Sequence, residues 1–325
     1  MFTVTVTETH VETDTIKVLR LVRSDGAALA PYPAGAHIDV TGPTGITRPY
    51  SLCGPPEDTS AYTIAVKREE NSRGGSQALH DKVEPGTELT IGAPRRLFGL
   101  APQAGEHHLV AAGIGITPLL AMAYELHARK AEFRLHYVAR SRAEAAFAGL
   151  LEKSAFADRV VRHFGAGRQA VARELTGALA GLPADAHVYA CGPESFMAQV
   201  RALAARGLPE EQIHSEPFRA GTPAGDGADN GADKGADDGF EVELDTGEVY
   251  TVPPGMTIAD VLEENGVPLE TSCREGICGT CVLRVVEGEP DHRDHCLSAK
   301  EKAAGDQIAA CVSRARSPRL VVELW

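Results

Sequence analysis

The sequence predicts a multidomain chain: an antiparallel β-barrel, an α/β domain with a parallel sheet, and a small α+β domain at the end. Three observations carry that reading. Short strands separated by turn residues fill the chain to position 101. Strands then alternate with helices up to Phe218. Beyond a stretch built almost wholly of Gly, Ala, Asp, Thr and Pro come a hairpin, a helix and a cysteine-rich loop. The length, 325 residues, agrees, being too great for one small module.

In residues 1–101 the strands are TVTVTET, TIKVLRLV, AHIDVTG, YTIAVKR and ELTIGAP, cut apart by turn formers such as PYPAG and VEPGT. In residues 102–218 the strands HHLVAAG, FRLHYVAR, DRVVRHF, AHVYACG and IHSEPF alternate with helices, TPLLAMAYELHARK after the first and PESFMAQVRALAARG after the fourth. Such alternation implies a parallel sheet of nucleotide-binding type. Residues 219–239 cannot form a core. As a flexible linker they would span roughly 25 Å, which tethers the two sides and leaves them free to reorient. In residues 240–325, FEVELDTGEVYTV turns at Asp245-Thr246-Gly247, TIADVLEENG is a short helix with Thr257 as its N-cap, and LVVELW is a closing strand.

Charge and cysteine usage narrow the function. The formal net charge of -13 disfavours nucleic acid, whose phosphates are held by Lys and Arg. Met1 to Phe218 carries 24 acidic and 22 basic residues, whereas Phe240 to Trp325 carries 16 acidic against 8 basic. An acidic last domain can steer a basic partner protein, or can simply be a solvated surface. The apolar run LVAAGIGITPLLAMA is broken by Gly and Pro, so no membrane span is expected. The N-terminus lacks the features of a secretory signal, which points to a cytoplasmic, soluble protein, taken here as a monomer. In that compartment seven cysteines suggest metal or redox chemistry rather than disulfides.

The cysteines of SCREGICGTC carry the most specific signal. Cys273, Cys278 and Cys281 are spaced C-x4-C-x2-C, and Cys311 follows after 29 residues, which is the plant-type [2Fe–2S] pattern. Gly276 and Gly279 let the loop wrap a cluster and aim its amides at sulfur. Zinc also suits four thiolates, but its sites usually come as two short paired knuckles, which this spacing is not. Cys296 lies between the third and fourth ligands as a spare thiol in a helix or loop. The hairpin, helix, cysteine loop and final strand together resemble the β-grasp ferredoxin fold from Phe240 to Trp325.

Upstream, Arg48-Pro49-Tyr50-Ser51 is expected at the end of the third strand. Further on, AVKREENSRGGSQALHD runs from a strand into a turn that opens a helix. There Gly74, Gly75 and Ser76 present amides and a hydroxyl to an anion, with Arg48 and Arg73 as cationic supplements. In VAAGIGITPLL, Gly113 and Gly115 precede a helix that starts near Thr117-Pro118, where proline suits the first turn. VYACGPESFM ends a strand in Cys191-Gly192-Pro193, and Phe218 closes HSEPF. Taken alone, Cys191 reads as a small buried hydrophobe.

These motifs, in this order, resemble the ferredoxin–NADP⁺ reductase superfamily. The resemblance implies that Tyr50 packs on a flavin ring, that Ser51 approaches flavin N5, and that Arg48 and the Arg73–Ser76 turn hold the phosphate. Ala65, Val66 and Lys67 would line the flavin through their backbone. Gly113, Gly115 and Thr117 would meet the pyrophosphate and flavin, Cys191 would lie beside the nicotinamide, and Phe218 would cover the flavin. Arg140 and Arg142, in the segment that meets the adenosine ribose, could grip a 2′-phosphate, with no acidic residue there to reject one; this leaves room for NADPH beside NADH.

Domain order, with the iron–sulfur domain last, resembles the phthalate dioxygenase reductase family, which includes the vanillate demethylase reductases. That resemblance implies NADH as donor, FMN as flavin, and delivery of electrons one at a time to a terminal oxygenase, either a Rieske non-haem iron enzyme or a cytochrome P450. Ser51, Thr117 and Cys191 would shape hydride transfer. Two readings of other kinds stand beside it: a free-standing flavin reductase or diaphorase, and a redox-sensing binding module.

Overall fold

Thr and Val alternate along the first strand, so Val4 and Val6 point inward with no exposed surface while Thr3, Thr5 and Thr7 face the other way. The computed structural model describes residues 1–70, 74–218 and 239–324; Arg73 and the linker up to residue 238 lie outside the described residues. The chain divides into two compact units, Met1–Phe218 and Arg219–Trp325.

The first unit opens with β1 (Phe2–Thr13), β2 (Ile16–Arg23), β3 (Ala36–Thr41), β4 (Thr47–Ser51), β5 (Tyr62–Lys67), helix α1 (Gly75–Lys82), β6 (Glu88–Ile91) and the short β7 (Arg95–Arg96). Neighbours run β4-β3-β6-β1-β2-β5, all antiparallel, with β7 on β3. A single bridge, Leu52 to Ile64, joins the two ends and closes the barrel. RPYS is therefore not the end of the third strand: it forms a strand of its own, because the turn at Gly42–Gly45 folds the chain back on β3. Pro49 is tolerated there because β4 is an end strand of the ladder and needs no amide donor on its free side. Buried Lys17 of β2 donates to the carbonyls of Leu79, His80 and Val83 at 3.5, 2.9 and 2.5 Å. It thereby pins the C-terminal end of α1, where a cation is favoured, to the barrel wall.

The α/β part contains β8 (Glu106–Ala112), α2 (Ile116–Ala128), β9 (Glu132–Ala139), α3 (Ala148–Lys153), β10 (Val160–Phe164), α4 (Arg168–Leu179), β11 (Ala186–Cys191), α5 (Glu194–Ala204) and β12 (Ile213–Glu216). The parallel order is β10-β9-β8-β11-β12. Helices α3 and α4 are additions to the sequence reading. The barrel and this sheet share one continuous core, in which Leu19, Leu52 and Ile64 belong with Leu109, Met122 and Tyr189. Cross-links reinforce it: the Ala34 amide donates to Glu125 Oε2 at 2.8 Å, the Ala101 amide to the Tyr189 hydroxyl at 2.9 Å, and the Phe147 amide to Glu12 Oε1 at 2.7 Å. Among the described residues no helix is long and apolar enough to cross a membrane.

The second unit holds β13 (Phe240–Leu244), β14 (Val249–Val252), α6 (Ile258–Glu264), β15 (Val282–Glu287), β16 (Pro290–Asp291), α7 (Ala299–Ala304), β17 (Gln307–Ala309), β18 (Arg314–Ala315) and β19 (Arg319–Glu323). Its sheet order, β14-β13-β19-β15-β17, places the closing strand in the middle, parallel to β13 and antiparallel to β15. The expected hairpin and helix both form. Thr257 caps α6 in a capping box with Asp260.

Candidate functional site

Strand geometry decides what β4 and β5 can offer. Their ladder consists of the one bridge at Leu52, reinforced by the Cys53 amide donating to Thr63 O at 3.0 Å. No other β4–β5 bridge forms among the described residues, and edge amides and carbonyls are the groups that a planar polar ring can pair with. Period-2 alternation puts Arg48 and Tyr50 on one face of β4 and Pro49 and Ser51 on the other. Tyr50 is half-buried against the shared core, and burial pushes its phenol up to about 12. Ser51 is buried opposite His37. On β5, Ala65 and Val66 are buried and Lys67 turns outward to Glu69 at 2.9 Å.

Helix α1 brings the anion cradle to the same end of the barrel. Gly75 packs on β4 so closely that a Cβ would sit 3.2 Å from Ile46 Cγ2 and 3.7 Å from Arg48 Cγ. The Ser76 hydroxyl accepts from the Glu69 amide at 3.1 Å, and His80 Nε2 meets Val66 O at 2.8 Å. Gly75 and Arg48 are thus neighbours, with Gly74 and Ser76 on either side of Gly75.

In the parallel sheet, β9 and β10 lie on one side of β8 while β11 and β12 lie on the other, so the order reverses between β8 and β11. The crevice at the carboxyl ends of such a pair is where open α/β sheets bind ligands. Gly113–Gly115 and Cys191-Gly192-Pro193 both sit there. A Cβ on Gly115 would lie 2.2 Å from Cys191 O, so only glycine lets the two turns meet. Thr117 is buried, and its hydroxyl donates to Ile114 O at 3.0 Å. Pro118 is buried in the first turn of α2, and the Pro193 carbonyl accepts the first amides of α5. Phe218 packs half-buried on the shared core. Replacing Gly115 by Ala is expected to force β11 and α2 apart and to slow flavin reduction by nicotinamide about 10- to 100-fold, equivalent to about 1.4–2.7 kcal/mol of barrier. Unchanged stopped-flow flavin bleaching would refute this.

Cys191 is fully buried, with its thiol donating to Glu216 O at 3.3 Å; burial, and then the Glu216 charge, push its pKa well up. It is a neutral thiol. Glu216, paired in register with Cys191, is a residue that sequence reasoning misses, since HSEPF draws attention only to Phe218. Burial raises its carboxyl to about 8, and its Oε2 is buried without a partner among the described residues. The only trace of it in the sequence is an acid at the C-terminal end of a parallel strand. His37, with a buried Nε2 that has no partner among the described residues, leaves none.

Acidic residues do accompany Arg140 and Arg142, which corrects the expectation of an acid-free ribose segment. Arg142 donates to both oxygens of Glu152, at 3.1 and 2.7 Å, and Arg140 lies 3.9 Å from Glu144. Helix α3 carries Glu152 back to the arginine, which a ten-residue separation conceals.

In the second unit Cys273, Cys278, Cys281 and Cys311 are all buried. Cys278 is hydrogen-bonded to Cys273, which with burial raises its pKa. Cys311 is bonded to Cys273, which lowers its pKa, and to Cys281, which together with burial outweighs that and takes it to about 12. The Glu275 amide donates to Cys273 Sγ at 3.3 Å, Thr280 Oγ1 lies 3.1 Å from Cys278 Sγ, and the Gly276 amide bonds Cys311. Gly276 has φ +68°, and a Cβ there would lie 2.6 Å from Val312 Cγ2, so the loop requires glycine. Among the described residues no three potential ligands are grouped tightly enough for a single metal ion. These contacts join the four sulfurs, Cys278 to Cys273, Cys273 to Cys311 and Cys311 to Cys281, and four soft thiol donors are the set that a two-iron cluster takes. Cys296 stands in a loop ahead of α7.

Comparisons with known proteins follow this layout. A family model described as "2Fe-2S iron-sulfur cluster binding domain" matches residues 242–316. Another, for the N-terminal domain of dimethylamine monooxygenase subunit DmmA-like proteins, matches residues 94–213. The chain is 42% identical over 308 residues to a vanillate O-demethylase oxidoreductase of Pseudomonas sp. (strain HR199 / DSM 7063), covering 94% of each. It is similar to the solved phthalate dioxygenase reductase, a modular structure for electron transfer from pyridine nucleotides to [2Fe–2S], with TM-score 0.72, 34% identity, and 99% and 98% of the two chains covered. It is also similar to an intact type IV self-sufficient cytochrome P450 monooxygenase, with TM-score 0.86 and 34% identity; 99% of this chain matches 41% of that one.

Proposed function

The chain belongs to the family of phthalate dioxygenase reductase and the vanillate O-demethylase oxidoreductases, reductases that serve oxygenases, and from that premise we propose that it carries electrons from NADH through FMN and a [2Fe–2S] cluster to a Rieske-type oxygenase or a cytochrome P450. It is an NAD(P)H-dependent oxidoreductase with flavin, nicotinamide and iron–sulfur sites. The observation that carries the reading is the shared core of the first unit, which fixes the open β4/β5 edge and the β8/β11 crevice in one body.

When bound, the flavin accepts a hydride and the cluster passes electrons on singly. The protein supplies placement. Arg48 and the amides of Gly74–Ser76 hold the flavin phosphate, with Arg73 as a further cation. Tyr50 and Phe218 supply aromatic surface, and Ser51 offers a hydroxyl at the ring. Gly113, Gly115 and Thr117 shape the nicotinamide seat, and neutral Cys191 keeps charge away from it. Cys273, Cys278, Cys281 and Cys311 hold the cluster. NADH is favoured over NADPH because Glu152 already pairs with Arg142, and Glu144 lies beside Arg140, the cations that a 2′-phosphate would need. FMN is favoured over FAD because the sequence offers no separate adenine-stacking motif.

Absorption spectra of the purified protein before and after anaerobic NADH, repeated with NADPH, test the proposal, together with identification of the acid-released flavin. Flavin and iron–sulfur bands that both bleach with NADH are expected. Four thiols bound to zinc, or bleaching confined to the flavin, would reject the relay.

A further inference from the structure

Between the third and fourth cysteines of the cluster runs the segment from Asp291 to Leu297, and its Asp294 side chain has 0% exposure. A carboxylate this deep is costly unless it is paired and hydrogen-bonded, so its partners show what it holds. Oδ2 accepts from the Leu297 amide at 2.9 Å and from Cys296 Sγ at 3.6 Å, and Oδ1 accepts from Ser313 Oγ at 3.4 Å. His292 Nδ1 lies 3.5 Å from Oδ1 and Lys302 Nζ lies 3.6 Å from Oδ2; the ammonium also donates to the Asp294 carbonyl. Ser313 is fully buried two residues beyond Cys311 and accepts from the Arg293 amide at 3.1 Å. On the other side, the His295 and Cys296 amides both donate to Gly276 O, at 2.8 and 3.0 Å, and the Gly276 amide bonds Cys311. Asp294 therefore stands between the Cys273–Cys281 loop and the Cys311 segment and is tied to both.

We propose that the pair of buried Asp294 and partly exposed Lys302 positions the two ligand-bearing segments, and that its two charges bias the reduction potential of the cluster in opposite directions. The inference rests on the assignment of the four cysteines as ligands. Reduction adds one negative charge to the cluster, so a nearby carboxylate opposes it and a nearby ammonium favours it. The carboxylate acts through protein, where screening is weak, and the partly exposed ammonium is screened more. In the native pair the two effects oppose each other, the carboxylate's being the larger because it is the more deeply buried.

The test is an anaerobic redox titration of the full-length holoprotein, with the reduced cluster read by electron paramagnetic resonance. Asp294→Asn keeps the shape and an acceptor oxygen while leaving Lys302 unbalanced. It should raise the reduced-to-oxidised ratio at fixed potential about tenfold, a positive shift of about 59 mV for a one-electron couple. Lys302→Met should shift the midpoint in the negative direction, by less because Lys302 is partly exposed, and the double variant should fall between the two single variants. Unmoved midpoints, or shifts of the same sign in both single variants, would overturn the inference and leave a purely structural clamp. If Asp294→Asn fails to retain a cluster, the sign given by Lys302→Met decides. A native protein without iron–sulfur absorption would overturn the ligand assignment and this inference together.

Discussion

Replacing Cys278 by serine is expected to abolish iron–sulfur absorption and to cut NADH-driven reduction of cytochrome c about 100-fold or more, at least about 2.7 kcal/mol of barrier. Reduction of a small dye at the flavin should persist. Cys278 lies buried between Cys273 and Thr280, so serine removes a soft donor from a place where no water can substitute for it. The two activities should separate because Met1–Phe218 is a compact unit of its own, with a core that contains no residue of the cysteine loop. Cys296→Ser is the control: its thiol lies in a loop outside the ligand set, and iron content should hold. Native absorption in the Cys278 variant, or equal loss in the Cys296 variant, would dismantle the ligand assignment.

Acid should unfold the first unit well before it protonates most surface carboxylates. Burial lowers His37, His107, His136 and His214 from the ordinary value near 6.5 to about 4, with neighbouring charges adding to it. The unfolded chain therefore binds more protons than the folded one between about pH 6.5 and pH 4, and stability falls as pH drops through that window and levels off below it. Every tenfold loss of proton affinity on folding corresponds to about 1.4 kcal/mol. After allowance for coupling within the His136–His163 and His187–His214 pairs, whose nitrogens lie 3.2 and 2.9 Å apart, the total is on the order of 5 kcal/mol. That is comparable with the whole stability of a domain. Urea unfolding followed by flavin fluorescence at pH 7.5 and pH 5 measures it; equal midpoints would show that these imidazoles are not buried as described.

What the sequence discloses is periodic or punctuated. The Val–Thr alternation of β1 and the Thr257 cap depend on residues close together in the chain and take the expected form, and the cysteine spacing lies within the stretch that the iron–sulfur family model matches. What it conceals depends on contacts across the fold. Lys17 reaches α1 over more than sixty positions, Glu152 returns to Arg142 through α3, and Glu216 has its pKa raised only because β12 is laid beside β11. RPYS lies one strand away from its expected place because Pro49 argues against a ladder position unless the strand is known to lie at an end.

The core shared by the barrel and the parallel sheet also fixes where the gene can be cut. A break near residue 101 would strip Tyr189 of the Ala101 amide and Glu125 of the Ala34 amide, and would expose apolar surface on both fragments. A break after Phe218 severs no such core. Exchange of redox cassettes, in recombination or by design, should therefore transmit residues 1–218 as one indivisible piece, and a chimaera that borrows only the barrel should fail to fold.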